Sequence, residues 1–445
     1  MSLTRLAPRV ALATLGCRVN FAETDHLRGI LEAAGYRLVP FEADADVYIV
    51  NTCTVTHVAD RKSRQLLRQA IRRNPRAVVV AAGCYADVAA PQLAQLEGVT
   101  LVLRKEDEPL LLSHLAAALE ERGLWAPSTA IPGRPSFSPE SRARALIKVQ
   151  DGCDNRCTYC IVAIARGPAR SRPMEEVLEE IRTAARAGYR EIILTGINLG
   201  AYRDSGGARL DTLARRILEE TRIERIRFSS IEPQDFPLGL LDLWPEPRLC
   251  RHFHLPLQSA CDHVLARMGR RYRWEQYRTL AETILERVPD VALTTDLIAG
   301  FPGETEEEFR ETLEAVASLP FSDLHIFPFS SRPGTPAASM PGQVPPAVRQ
   351  QRCEALHALA RDLAVRFRSR FIGRTLPVLW DGRRGTLWSG LTDNYLRVVA
   401  PASGDRLGQI TPTLLTGLEG TLLRGEIVEP HHVDAKSGQN DAFGV

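Results

Sequence analysis

Cys153, Cys157 and Cys160 crowd three thiols into eight residues, inside the run Lys148 to Val162. The spacing CxxxCxxC suits a metal loop. A cubane iron-sulfur cluster normally takes one thiolate per iron, so three thiolates leave one iron open to a small molecule. The same cysteines could instead bind zinc or pair as a disulfide. Zinc loops usually add a second cysteine pair or histidines downstream, and none follows at that spacing.

With Tyr159 before the last cysteine, this loop resembles the signature of the radical S-adenosylmethionine superfamily. An open iron can chelate the amino and carboxylate groups of S-adenosylmethionine, and a reduced cluster can then break its carbon-sulfur bond and release a radical.

The chain has 445 residues, with 56 basic against 54 acidic side chains, so a nucleic acid would be met by local patches and not by a bulk field. No stretch reaches the roughly eighteen apolar residues of a membrane span, and the first residues lack the apolar core of a signal peptide. Nine cysteines in so long a chain fit a reducing compartment, and a cytoplasmic protein is expected.

An α/β fold class is expected throughout most of the chain. Val10–Leu15, Val47–Val50 and Val78–Ala82 read as buried parallel strands of an open α/β domain over residues 1–125. Cys17, Cys53 and Cys84 each fall within three residues of one strand end. Singly, each would more often be a core cysteine. Together, at the strand ends where open sheets bind ligands, they favour a second iron-sulfur site, again with one iron free.

Residues 126–141, rich in Pro and Ser, read as a linker. Six strand-helix alternations then fill residues 142–371: strands at 145–149, 191–195, 225–230, 252–256, 292–298 and 323–327. They suggest an incomplete TIM-like barrel with its site at the C-terminal strand ends. A helix from about 347 to 371 leads to short alternating segments, read as a small β-barrel over 372–433, and the tail 434–445 is expected to be disordered.

Several motifs carry a wider resemblance: TLGCRVNFAETD (14–25), NTCTVT (51–56), AAGCYA (81–86), ARGPARSR (165–172), TGINLGAY (195–202), SSIEP (229–233), HLPLQS (254–259), TTDLIAGFPGETEEEF (294–309) and HIFPFSSRPGTPA (325–337). In order and over almost the whole chain they resemble the methylthiotransferases, radical S-adenosylmethionine enzymes with an auxiliary-cluster domain, a central barrel and a TRAM-type RNA-binding module. The wording around Cys17 and Cys53 resembles the branch acting on threonylcarbamoyladenosine at position 37 of tRNA. Sister branches act on isopentenyladenosine in tRNA or on a ribosomal-protein aspartate.

The resemblance implies two 4Fe-4S clusters, the radical one on Cys153, Cys157 and Cys160 and the auxiliary one on Cys17, Cys53 and Cys84. It implies S-adenosylmethionine used both as methyl donor and as radical source, with the methylthio group replacing hydrogen at C2 of the adenine. It also implies a tRNA anticodon stem-loop as partner and an electron donor such as flavodoxin or ferredoxin. A monomer is expected. Tyr159, Thr195, Gly196, Asn198, Ser230, Glu232, His254, Gln258 and Ile298 stand at or beyond strand ends and are candidates to hold the cofactor, although Gly196 could be a tight turn and His254 and Gln258 satisfied core polars. Ala260 and Ala163 depart from the commonest family wording, and Cys250, Cys261 and Cys353 match no ligand position.

Two arginine sets are candidate RNA contacts. Arg64, Arg68 and Arg72 share one side of a helix after Cys53 whose other side carries Leu66, Leu67, Ala70 and Ile71. Arg361, Arg366, Arg368 and Arg370 lie on the helix before the small barrel. A solvated face is the alternative for the first set. A different class of function, a non-enzymatic iron-sulfur RNA-binding or electron-carrier protein, would expect every iron to be closed by protein, yet each set offers three cysteines.

Overall fold

The computed structural model describes residues 7–126 and 143–428, so the linker (but for Ala126) and the tail lie outside the described residues. The first unit is built on β1 (Arg9–Thr14), α1 (Arg18–Ala33), β2 (Arg37–Val39), β3 (Val47–Thr52), α2 (His57–Arg73), β4 (Val78–Gly83), α3 (Cys84–Ala94), β5 (Leu101–Val102) and α4 (Leu111–Glu120). All strands run parallel in the order β2-β1-β3-β4-β5. Such a sheet is covered on both faces, which is why β3 is buried at every position. Val47 and Ile49 join one core with Leu27, Leu31 and Leu115, while Tyr48 and Val50 join another with Leu67, Ala70 and Leu93. The period of two along one strand thus feeds two layers of helices.

The second unit runs through β6 (Arg144–Lys148), β7 (Gln150–Asp151), α5 (Val162–Arg166), β8 (Arg170–Ser171), α6 (Met174–Arg186), β9 (Glu191–Thr195), α7 (Leu210–Glu220), β10 (Arg225–Phe228), β11 (His252–His254), α8 (Asp262–Arg267), α9 (Trp274–Arg287), β12 (Ala292–Ala299), α10 (Glu306–Ala317), β13 (Asp323–Pro328) and α11 (Pro346–Ser369). β6, β9 and β10 form one parallel sheet and β11, β12 and β13 another. Parallel bridges Ile226–Leu249 and Ser230–His254 join them edge to edge. The six strands expected from the alternation are therefore present, curved into an open barrel whose outer helices bury Val177, Ile181, Leu213, Ile217, Ala281 and Val316 against it.

The last unit is a closed barrel of β14 (Thr375–Arg384), β15 (Leu387–Thr392), β16 (Arg397–Pro401), β17 (Ile410–Glu419) and β18 (Leu422–Ile427), in the order β14-β15-β16-β18-β17. Closure removes sheet edges. Trp380, Val398, Leu415 and Leu423 fill it, and Phe367 near the end of α11 and Phe371 just after it complete the same core. Buried arginines lock it onto the open barrel. Arg227 pairs with Glu191 at 2.8 Å and donates to the carbonyls of Thr392 and Asp393 at 3.1 and 3.0 Å. Arg225 donates to Pro377 O at 2.6 Å.

The candidate arginines divide. Arg68 and Arg72 are exposed, and Arg64 is half-buried with its guanidinium donating to Tyr85 Oη at 2.7 Å. Arg361 and Arg366 are exposed. Arg370 is exposed but 3.4 Å from Asp290. Arg368 departs from expectation: it is buried and 3.1 Å from Asp323. It follows Ala360 and Ala364 at four-residue steps, so the helical period carries it onto the packed face.

Candidate active site

Each cysteine of the dispersed set begins where a central strand of the first sheet stops. Cys17 is the N-cap of α1, Cys53 follows β3, and Cys84 opens α3. Parallel register brings those ends to one edge. The thiols of Cys17 and Cys84 both point at Asn20 Oδ1, at 3.6 and 3.8 Å, and Cys53 Sγ lies 3.0 Å from where a side chain on Gly16 would begin. A Cβ at Gly83 would meet Asn51 Oδ1 at 2.1 Å, and its φ of +84° belongs to glycine, so the turn that aims Cys84 admits no larger residue.

The loop set follows β6 and β7. Gly152 has φ +71°, and a Cβ there would lie 2.0 Å from Pro168 O. That close approach folds the cysteine loop back on the segment after α5. Cys153 accepts from Asn155 N at 3.4 Å, and the Arg270 guanidinium lies 3.5 Å from Cys157 Sγ.

All six thiols line one cavity of about 590 Å³. Among the described residues none is in a disulfide. Burial pushes the Cys84 and Cys160 thiols up to about 12 and Cys153 to about 11. Such sulfurs are neutral unless a metal takes the proton's place, and three soft donors beside open volume fit a cluster with an uncoordinated iron at each set.

Arg166 joins the two sets. Its side chain is 2% exposed and donates to Asn20 Oδ1 at 2.6 Å, Glu23 Oε1 at 2.8 Å and Asp151 Oδ1 at 3.0 Å. Burial opposes the Glu23 charge, yet Arg166 and Lys148 hold its carboxyl well below the usual range. Arg270 plays a similar part on the other wall, paired with Glu232 and donating to Pro256 O at 3.0 Å.

Of the proposed cofactor residues, Tyr159, Gly196, Ser230, Glu232, His254 and Gln258 line the cavity. Gln258 sits at φ +73°, a strained value for a non-glycine residue, fixed by its backbone N–H donating to Asp296 O at 2.7 Å. Thr195, Asn198 and Ile298 stand behind the wall. Thr195 Oγ1 donates to Ile193 O at 3.0 Å, the Asn198 amide donates to Asp235 at 2.6 Å, and Ile298 packs in the apolar cluster of Phe301 and Phe329. Cys250, Cys261 and Cys353 are buried away from the cavity, as their lack of a ligand pattern suggests.

Other lining residues escaped the sequence reading. Arg18, Arg166, His252, Arg270, Asp296, His325, Phe327 and Tyr395 all face the cavity. Asp296 bridges His254 Nε2 at 3.2 Å and His325 Nδ1 at 3.1 Å. Against the cost of burial, both rings hold its carboxyl far below the ordinary range, and the Asp296 hydrogen bond raises His325. Tyr395 comes from the small barrel, so three units build one site. Arg18, Arg166, Asp296, His325 and Phe327 lie within the longer motifs, but nothing in the spacing marks His252, Arg270 or Tyr395.

Residues 147–316 match the Radical SAM superfamily, and residues 9–104 match Uncharacterized protein family UPF0004. The threonylcarbamoyladenosine tRNA methylthiotransferase MtaB of Bacillus subtilis is 39% identical over 420 residues, covering 90% of this chain and 92% of the relative. Its namesake in Thermotoga maritima is 37% identical, covering 94% and 98%. A tRNA-2-methylthio-N(6)-dimethylallyladenosine synthase of Sorangium cellulosum is 33% identical, covering 97% and 96%. In fold, the chain is similar to the radical S-adenosylmethionine methyltransferase TsrM of Kitasatospora setae, with a TM-score of 0.54 at 18% identity over 75% of this chain and 77% of that one. A radical S-adenosylmethionine domain works with a 4Fe-4S cluster and S-adenosylmethionine. With relatives above 30% identity matched along nearly their full length, the chain belongs to the radical S-adenosylmethionine tRNA methylthiotransferase family.

Proposed function

We propose that this enzyme adds a methylthio group to C2 of N6-threonylcarbamoyladenosine at position 37 of tRNA. The observation that supports it most is the single cavity shared by two separate cysteine triads. In this reading Cys153, Cys157 and Cys160 hold the radical cluster, and Cys17, Cys53 and Cys84 hold a second 4Fe-4S cluster. When bound, the first with S-adenosylmethionine supplies the radical that takes hydrogen from the target carbon, and the second supplies the sulfur.

The chain's own residues then have distinct work. Gly196, Ser230, Glu232 and Gln258 line the cavity and would hold the cofactor, with Arg270 fixing Glu232 beside Cys157. Arg166 keeps a positive charge beneath the dispersed thiols and ties the first unit to the open barrel. Both triads stand partly below the surface, which suits a target base taken out of its stack and inserted.

Residues 1–125 serve as the auxiliary-cluster domain, 142–371 as the radical core and 372–433 as a TRAM-type RNA-binding domain. Arg68 and Arg72 on α2 and Arg361 and Arg366 on α11 offer cations to phosphates. A flavodoxin or ferredoxin would supply electrons to a monomeric, cytoplasmic enzyme. Consistent with a non-membrane setting, no helix among the described residues is long and apolar enough to cross a membrane.

Mass spectrometry of tRNA nucleosides from cells with and without the gene tests the function. Loss of the 2-methylthio form of threonylcarbamoyladenosine, with that nucleoside accumulating, is expected. Loss of the isopentenyl counterpart instead would overturn the substrate assignment.

A further inference from the structure

Three arginines line the cavity, and two are neutralised there: Arg166 by Glu23 and Asp151, Arg270 by Glu232. Arg18 differs. Among the described residues it has no carboxylate within ion-pair distance, and its guanidinium donates to Tyr395 Oη at 2.9 Å. It sits next to Cys17 and is half-buried.

The partner of Arg18 is held firmly. Tyr395 has φ +63° in the turn from β15 to β16, a left-handed value that the turn stabilises through Thr392, whose hydroxyl donates to Asn394 Oδ1 at 2.6 Å and accepts from Leu396 N at 2.9 Å. One face of its ring stacks on His252 at 4.2 Å, and the guanidinium of the buried Arg227 lies 5.1 Å from its centre. A cation aimed by so rigid a support, with no carboxylate paired to it, is suited to an anion that arrives from outside.

His325 lines the same cavity as Arg18. Its Nδ1 is occupied by Asp296, which also takes His254, so that carboxylate is already shared between two rings.

We propose that Arg18, supported by Tyr395 and flanked by His325, forms the specificity pocket for the carboxylate of the N6 substituent of the target adenosine. This rests on the threonylcarbamoyladenosine reading above and deepens it. Threonylcarbamoyl carries a carboxylate and a hydroxyl, whereas a dimethylallyl group is wholly apolar. A backbone phosphate is the other source of negative charge. It is the less suited occupant, because Arg18 lies in the chamber with the six thiols, where the base must enter, and phosphates are met from exposed faces such as that of Arg68 and Arg72.

The test uses the full chain with both clusters reconstituted and measures affinity by fluorescence anisotropy for anticodon stem-loops. These carry adenosine, isopentenyladenosine, threonylcarbamoyladenosine or its carboxamide analogue at position 37. The wild-type protein should bind the threonylcarbamoyl RNA about tenfold more tightly than the carboxamide, an arm that needs no variant. Arg18→Met should erase that preference, Tyr395→Phe should reduce it, and Arg18→Lys should keep part of it. The salt slope for the unmodified RNA should stay the same in Arg18→Met. If Arg18→Met weakens all four RNAs alike and lowers the slope, Arg18 is a phosphate contact and the proposal falls. Indifference of the wild type to carboxylate against carboxamide, with threonylcarbamoyl still preferred over isopentenyl, overturns this pocket and leaves the substrate reading intact. A wild-type preference for isopentenyl overturns both.

Discussion

The two cysteine triads face one cavity, yet they are assembled in opposite ways. Cys153, Cys157 and Cys160 are brought together by eight residues of chain and by the glycine turn at 152. Cys17, Cys53 and Cys84 are separated by more than sixty residues from first to last and meet only because β1, β3 and β4 lie side by side in register. A local loop can hold its ligands even when its surroundings loosen. A site at a sheet edge is as sound as the sheet, and here it is also tied to the open barrel through Arg166. The difference teaches where each site is vulnerable: the loop to changes among its own few residues, the edge site to changes far away in sequence.

The sharpest way to break this comparison is to remove each triad in turn. Changing Cys153, Cys157 and Cys160 together to Ala should roughly halve bound iron and abolish reductive cleavage of S-adenosylmethionine, read by iron analysis and by release of 5′-deoxyadenosine. Persistent cleavage would show that the loop does not carry the radical centre.

The reciprocal change, Cys17, Cys53 and Cys84 to Ala, should also take about half the iron. Cofactor cleavage should continue while methylthiolated RNA disappears, as judged by nucleoside mass spectrometry. Normal product from this variant would return the three residues to a packing role.

A third experiment separates the sites by stability. Arg166→Met leaves Glu23 and Asp151 buried with fewer partners, and should cost about 3 kcal/mol in denaturant unfolding. Lys148, 2.9 Å from Glu23, limits the loss. Iron on the dispersed triad should fall more than iron on the loop. Equal loss at both would mean that the edge site does not depend on this link.

The smallest effect is expected on the outer face of α2. Changing Arg68 and Arg72 to Gln should weaken stem-loop binding a few-fold and lower its salt slope by about one to two, with both clusters intact. An unchanged slope would make this a solvated face. Arg64 is left out because Tyr85 already occupies it.

Much of the architecture was legible because it is periodic. The three apolar runs ending near Cys17, Cys53 and Cys84 read as parallel strands, and β1, β3 and β4 match them within two residues at either end. The six strands of the open barrel and the helix α11 could be read the same way. Arg368 could not, since a charged residue near the end of a basic helix looks exposed until Asp323 is found opposite it. Thr195, Asn198 and Ile298 were rightly placed at strand ends, but the pleat and the turn send their side chains behind the wall.

By itself, then, the order of residues determined the two cysteine sets, because thiol spacing and strand ends are local properties of the chain, and it determined the succession of sheet, open barrel and closed barrel through hydrophobic period. Only the tertiary structure decided that both triads share a chamber and which charges within it are already paired. Those facts depend on contacts between residues more than a hundred positions apart, such as Arg18 with Tyr395 and Arg166 with Asn20, and no local pattern encodes a partner that distant.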